Sequence, residues 1–247
     1  MFQGTYCIAS HTFSICSLYQ DVQMLCCGYQ CDGNPEFTIT TTKEDIHRES
    51  VLSDETRKNE GLPPYTFSDG YLETLAVYRK LTERLLADDI LLFHGSAVAV
   101  DGLCYIFTAK SGTGKSTHVR LWRKVLGERA VMVNDDKPLI RLKDGVAMVY
   151  GTPWDGKHRL STNMAVPLKA IAVLQRGERN SIAPLGVKEA FPMLLQQTYR
   201  PENRLQLLKA MQLLGKMAES VNLYVLHCNM EEEAAKVAFE GMSHEHV

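Results

Sequence analysis

The sequence predicts an α/β protein with an N-terminal α+β portion. Three observations predict it. From about residue 88 onward, short apolar runs alternate with amphipathic helical stretches. An apolar run, a glycine-rich segment and a helical pattern follow one another directly across 103–126. Two Asp-Gly pairs, Asp101-Gly102 and Asp144-Gly145, stand between apolar runs, a strong hairpin signal.

Composition bounds the function. The chain has 247 residues, 45% of them hydrophobic and 23% charged, which fits a globular chain and argues against a disordered or fibrous one. With 27 Lys+Arg against 29 Asp+Glu, the formal net charge of −2 gives no electrostatic footprint for nucleic acid or an anionic membrane. No apolar run nears the ~18 residues that a membrane span needs. Met1-Phe2-Gln3-Gly4-Thr5 lacks the basic start of a signal peptide, so no secretory leader is expected. The seven cysteines are odd in number and contain no C-x-x-C pair. Reduced, mostly buried thiols in a cytoplasmic protein are therefore expected.

The elements follow in order. Residues 5–19 are rich in Tyr, Phe, Ile and Thr and read as strands, as does 37–41. Thr41 with Glu44 reads as a capping box opening a polar helix over 43–60. That helix is charged nearly all round, so its packing is weakly specified. Gly61, Pro63 and Pro64 break it. Leu75, Tyr78, Leu81 and Leu85 share one face of a helix over 69–87. Strands are expected at 90–93, 97–100 and 103–108, and a helix carrying Val119, Trp122 and Leu126 ends at Gly127. Further strands fall at 130–133, 139–142, 146–150, 168–174 and 223–226. Helices fall near 188–198 and 204–220, and a last one starts near Glu231. Leu205, Leu208, Met211 and Leu214 suggest the apolar stripe of the 204–220 helix. The change in texture puts a domain boundary near 88–94, with residues 1–88 as the N-terminal portion and 89–247 as the core.

The chemistry concentrates in Ala109-Lys110-Ser111-Gly112-Thr113-Gly114-Lys115-Ser116-Thr117. The segment matches G-x-x-x-x-G-K-[S/T] with Ala109 at the first position. Average composition gives about 0.02 chance matches in a chain of this length. Glycines let several backbone N–H groups turn toward one anion. The helix beginning at Lys115 adds its positive end. Lys115 supplies a cation for β- and γ-phosphates, and Ser116 a hydroxyl for Mg²⁺. Ser111, Gly112, Thr113, Gly114 and Thr117 complete the nucleotide cradle. Asn134-Asp135-Asp136 ends the 130–133 strand, 20 residues past Ser116. Carboxylates there can hold a metal ion or accept a proton. Adjacent side chains of an extended chain point to opposite sides, so the two Asp are expected to do different jobs. Gly151-Thr152-Pro153-Trp154-Asp155-Gly156-Lys157-His158-Arg159 forms a tight loop. Its three potential cations suit a transferring phosphoryl group, and Asp155 could add a metal or water ligand.

The 111–117 loop, the short gap and Asp135-Asp136 resemble the HPr kinase/phosphorylase and phosphoenolpyruvate carboxykinase superfamily. Phe93-His94-Gly95-Ser96 resembles the His-Gly strand before the loop in HPr kinase. The resemblance covers about 90–160. It implies a P-loop core of mixed sheet with flanking helices, binding ATP and Mg²⁺. It implies Asp135 as general base, Asp136 as metal-linked partner of Ser116, and His94 beside the acidic pair. The HPr kinase signature Glu-x-Arg-Gly-x-Gly is not found after the Asp pair. The Gly-Thr-Pro-Trp segment in its place resembles HPr-kinase-like proteins with other or unknown substrates. The expected activity is transfer of the γ-phosphoryl group from ATP to a hydroxyl, on a seryl protein or a small metabolite such as serine. Lys157 and Arg159 are expected to stabilise the transition state. The alternative is a nucleotide-binding regulatory module without transfer. HPr kinase relatives assemble into oligomers, so the resemblance leaves room for a homo-oligomer.

Overall fold

A computed structural model describes residues 1–243. The chain divides into two compact units, Met1–Arg84 and Leu85–Val247.

The first unit holds β1 (Phe2–Ile8), β2 (His11–Ser17), α1 (Asp21–Cys26), β3 (Phe37–Thr40), α2 (Lys43–Asn59) and α3 (Asp69–Leu85). Its sheet runs β1-β2-β3, with β2 antiparallel to β1 and parallel to β3. The helix over 43–60 is present, but its cap differs by one residue. Thr42 accepts from the Asp45 N–H, and Asp45 returns the bond to the Thr42 N–H. Thr41 is committed elsewhere, its hydroxyl donating to the buried Glu73 carboxylate. The packing of α2 is specified after all, by charge. Arg79 of α3 binds Glu49 at 2.6 Å and Asp45 at 3.3 Å, and Lys80 also pairs with Asp45. Glu73 receives the Leu18 and Tyr19 N–H groups at 2.7 and 2.8 Å, fixing the chain after β2.

The second unit is a mixed α/β layer structure. Its strands are β4 (Ile90–Leu92), β5 (Ser96–Val100), β6 (Leu103–Thr108), β7 (Ala130–Asn134), β8 (Leu139–Lys143), β9 (Val146–Tyr150), β10 (Ala165–Arg176), β11 (Ser181–Pro184) and β12 (Asn222–Cys228). Its helices are α4 (Lys115–Leu126), α5 (Val187–Gln197), α6 (Arg204–Ser220) and α7 (Glu232–Ser243). The curled sheet runs β4-β8-β9-β10-β6-β5-β7, with β12 also beside β10 and β11 beside β12. The 12-residue β10 holds it together. Its first residues pair antiparallel with β9, and the rest run parallel between β6 and β12. Asp101 and Gly102 take positive φ (51° and 81°), as the tight β5–β6 turn demands.

Period-2 alternation sends each central strand into two cores. Ala97, Ala99, Cys104, Ile106 and Ile171 face one, with Leu194 of α5 and Leu214 of α6. Val98, Val100, Tyr105, Phe107 and Ala172 face the other, with Trp122 of α4 and Ala238 of α7. Burial on both faces explains why these strands read as continuous apolar runs. The stripe expected on α6 is corrected. Leu205 and Leu208 are 77% and 49% exposed, and Ala210, Leu213, Leu214, Met217 and Ala218 are the buried face. The cysteines are free thiols, but only Cys26 and Cys104 are buried, so the expectation of mostly buried thiols fails. Among the described residues, no helix is long and apolar enough to cross a membrane.

Candidate active site

The glycine-rich segment leaves the end of β6 and enters α4 at Lys115. Ser111, Gly112, Thr113 and Gly114 lie in the loop, and Lys115, Ser116 and Thr117 form the first helical turn. Gly112 and Gly114 have φ of +74° and +121°, where a side chain is strained. A Cβ on either would stand in open space, so backbone conformation and not crowding requires glycine here. The N-cap, Gly114, offers no side-chain hydrogen bond, and the first N–H groups of a helix have no carbonyl partner within it. Those donors fit an anion. Lys115 folds back and donates from Nζ to the Ala109 carbonyl at 3.2 Å. Burial lowers its pKa, against the opposing charges of Asp136 and Asp135.

The helix behind the loop is held by aromatic packing. Trp122 lies against Tyr105, Phe107 and Phe239, and its indole N–H donates to His118 Nε2 at 3.1 Å. Burial keeps His118 neutral, its pKa lowered to about 4.

The acidic pair stands at the end of β7. Ser96 Oγ of β5 donates to the Asp135 carboxylate at 2.9 Å. The Ser116 side chain, in the first turn after the glycine loop, lies near enough to that carboxyl to lower its pKa. Burial raises the Asp135 pKa, although the Ser96 bond and the nearby Ser116 hydroxyl oppose the shift. Asp136 turns to His94, whose Nε2 is 3.2 Å from Oδ1. Burial pushes the Asp136 pKa up, but the His94 hydrogen bond and the charges of Lys137, His94 and Lys115 outweigh it, and the net shift is downward. The two carboxyls thus sit in opposite electrostatic environments. His94 is fixed through its backbone: its N–H donates to Gln197 O, its carbonyl accepts from Thr108 Oγ1, and the next N–H, of Gly95, donates to Asp136 O.

Asn134 organises the corner. Its Oδ1 accepts from the Asp136 and Lys137 N–H groups, and its Nδ2 donates to the carbonyl and hydroxyl of Thr152. The 151–162 loop is thereby strapped to the acidic segment. Thr162 N–H donates to Val133 O, and Asp135 N–H donates to Leu160 O. Gly156 approaches Asp136 so closely that a Cβ would lie 3.1 Å from the Asp136 Cβ. Asp155 is buried, while Lys157, His158 and Arg159 are exposed at the tip. His158 lies near enough to Asp135 to oppose the upward shift of its pKa.

The structure therefore gathers the 109–117 loop, Asp135, Asp136 and His94, with the basic tip strapped beside the acids. Sequence reasoning named Ser96 only within the His-Gly segment, with no role of its own, and missed Ser161 and Arg176. Ser161 Oγ donates to Asp155 Oδ2 at 2.8 Å, and Arg176 at the end of β10 donates to the Gly112 carbonyl at 2.7 Å. A serine in a loop, or an arginine closing an apolar run, carries no motif. Among the described residues, no group of three or more His, Cys, Asp or Glu side chains is placed to hold a metal ion by itself. The donor set near the loop, hydroxyl plus carboxylate, suits Mg²⁺, which takes one or two carboxylates and completes its shell with water and phosphate.

No protein-family model matches the chain, and no curated protein matches it. Among solved structures it is similar to the HPr(Ser) kinase/phosphatase from Coxiella burnetii, at 11% identity and a TM-score of 0.29, over 48% of this chain and 86% of that one. A likeness at that level bears no weight for the site.

Proposed function

We propose that this chain is a P-loop phosphotransferase that moves the γ-phosphoryl group of ATP to a hydroxyl. The observation that carries the reading is that Asp136 and Asp135 lie near enough to Lys115, the first helical residue after the glycine loop, for their charges to act on its pKa. Backbone N–H groups of the loop and Lys115 hold the phosphates. Ser116 and Asp136 hold Mg²⁺, which when bound neutralises phosphate charge. Asp136 suits that task because its lowered pKa keeps it ionised. Asp135 suits proton transfer, since a raised carboxyl pKa lies nearer neutrality. It takes the proton of the acceptor hydroxyl as the new P–O bond forms. His94 orients Asp136. Lys157 and Arg159 counter charge on the transferring group. The acceptor is a seryl protein or a small hydroxylated metabolite.

ATP turnover with Asp135→Asn tests the reading across a panel of hydroxyl acceptors. Turnover in the wild type, lost in the variant with nucleotide affinity kept, is the expected result. Nucleotide binding without turnover in either protein makes the chain a regulatory module instead.

A further inference from the structure

Asp155 is buried without being satisfied. Its side chain is 7% exposed, and among the described residues Oδ1 accepts no hydrogen bond. Leaving such an oxygen unpaired is costly, so a purely structural role does not account for it. The other oxygen, Oδ2, is clamped by the Ser161 hydroxyl at 2.8 Å, so the carboxylate cannot turn away to find a partner. The group facing Oδ1 is Arg159, whose NH1 lies 3.8 Å off. That is too long for a hydrogen bond and near enough for attraction. Arg159 itself is 68% exposed, and its backbone holds φ of +52°, an unusual value for a long side chain. The clamp belongs to the acidic corner: Ser161 bridges Asn134, and the Leu160 carbonyl binds the Asp135 N–H.

We propose that Asp155 is a positioning residue for Arg159, holding its guanidinium beside the acidic corner to meet the terminal phosphate of a nucleoside triphosphate. The inference rests on the phosphotransferase reading and adds a way for the site to tell a triphosphate from a diphosphate. A buried carboxylate that attracts the guanidinium without bonding it narrows its range and leaves its N–H donors for phosphate oxygens. Burial also raises the Asp155 pKa, in keeping with a carboxyl that lacks full solvation.

Calorimetric titration of the full chain tests it, with ADP and with a non-hydrolysable ATP analogue in the presence of Mg²⁺. The wild type should prefer the triphosphate. Arg159→Ala and Asp155→Asn should each lower that preference about tenfold, with ADP affinity kept. The double variant should lose no more than either single variant, because Asp155 acts through Arg159. Should Asp155→Asn fail to fold, Ser161→Ala serves in its place. It should lower the preference in the same direction and have no effect in the Arg159→Ala background. An unchanged preference in Asp155→Asn, or losses that add in the double variant, overturns the inference and leaves the phosphotransferase reading standing. Failure of the wild type to bind either nucleotide overturns both.

Discussion

Gly151 is where the strap meets the acidic strand, and Gly151→Ala is the sharpest test of that packing. A Cβ there would lie 1.9 Å from the Thr162 carbonyl oxygen and 2.6 Å from that of Val133. Both obstacles are backbone, so no side-chain rotation relieves the clash. Restoring ordinary contact requires the segments to part by roughly 1.5 Å. That breaks the bond from Thr162 N–H to Val133 O and strains the one from Gly151 N–H to Met164 O. Two backbone hydrogen bonds at about 1 kcal/mol each, with overpacking of about 1–3 kcal/mol, give a loss of about 3–5 kcal/mol. Gly145→Ala is the control. Its φ is +78° but nothing lies within 4 Å of the added carbon, so conformational strain alone applies, about 1 kcal/mol. Urea denaturation of both variants, followed by tryptophan fluorescence, reads the difference. A Gly151→Ala loss no larger than that of Gly145→Ala would refute the strap geometry.

Two other perturbations probe the two units separately. Glu73→Gln replaces one carboxylate oxygen facing the Leu18 and Tyr19 N–H groups with a donor, and should cost about 2–3 kcal/mol by denaturant titration, whereas no change would mean Glu73 does not anchor that turn. Asp135 has its pKa raised on folding, so its contribution to stability is present below the ordinary carboxyl value of 3.8 and is lost as pH rises through the folded value. Asp135→Asn should therefore gain stability relative to the wild type as pH rises above the ordinary carboxyl value of 3.8, and a stability difference that does not move in the variant's favour with rising pH would contradict the burial argument.

Local signals were legible where local physics decides. Asp-Gly between apolar runs gave the β5–β6 hairpin because few residues tolerate two successive positive φ values. The strand, glycine-rich loop and helix were readable because glycines that take positive φ stand between an apolar run and an amphipathic stretch. What escaped was decided by tertiary contact. Thr41 and Thr42 each have an acid three residues on, and only the engagement of Thr41 by Glu73, from α3, decides that Thr42 caps the helix. A leucine-rich helix offers more than one apolar stripe, and α6 turns its Ala210 and Ala218 face to the core instead of Leu205 and Leu208. In the candidate site, the sequence singled out the two acids and the lysine, and the fold brings them near one another. Ser96 was given no role of its own, because its bond to Asp135 depends on β5 lying beside β7.

A crystal structure with a non-hydrolysable ATP analogue and Mg²⁺ is the most direct trial of the central claim. The account predicts β- and γ-phosphate oxygens within hydrogen-bond distance of the loop amides, with the Asp135 carboxylate no more than one water from the γ-phosphate. A nucleotide bound elsewhere, or an Asp135 carboxylate more than about 10 Å from the γ-phosphate, contradicts it.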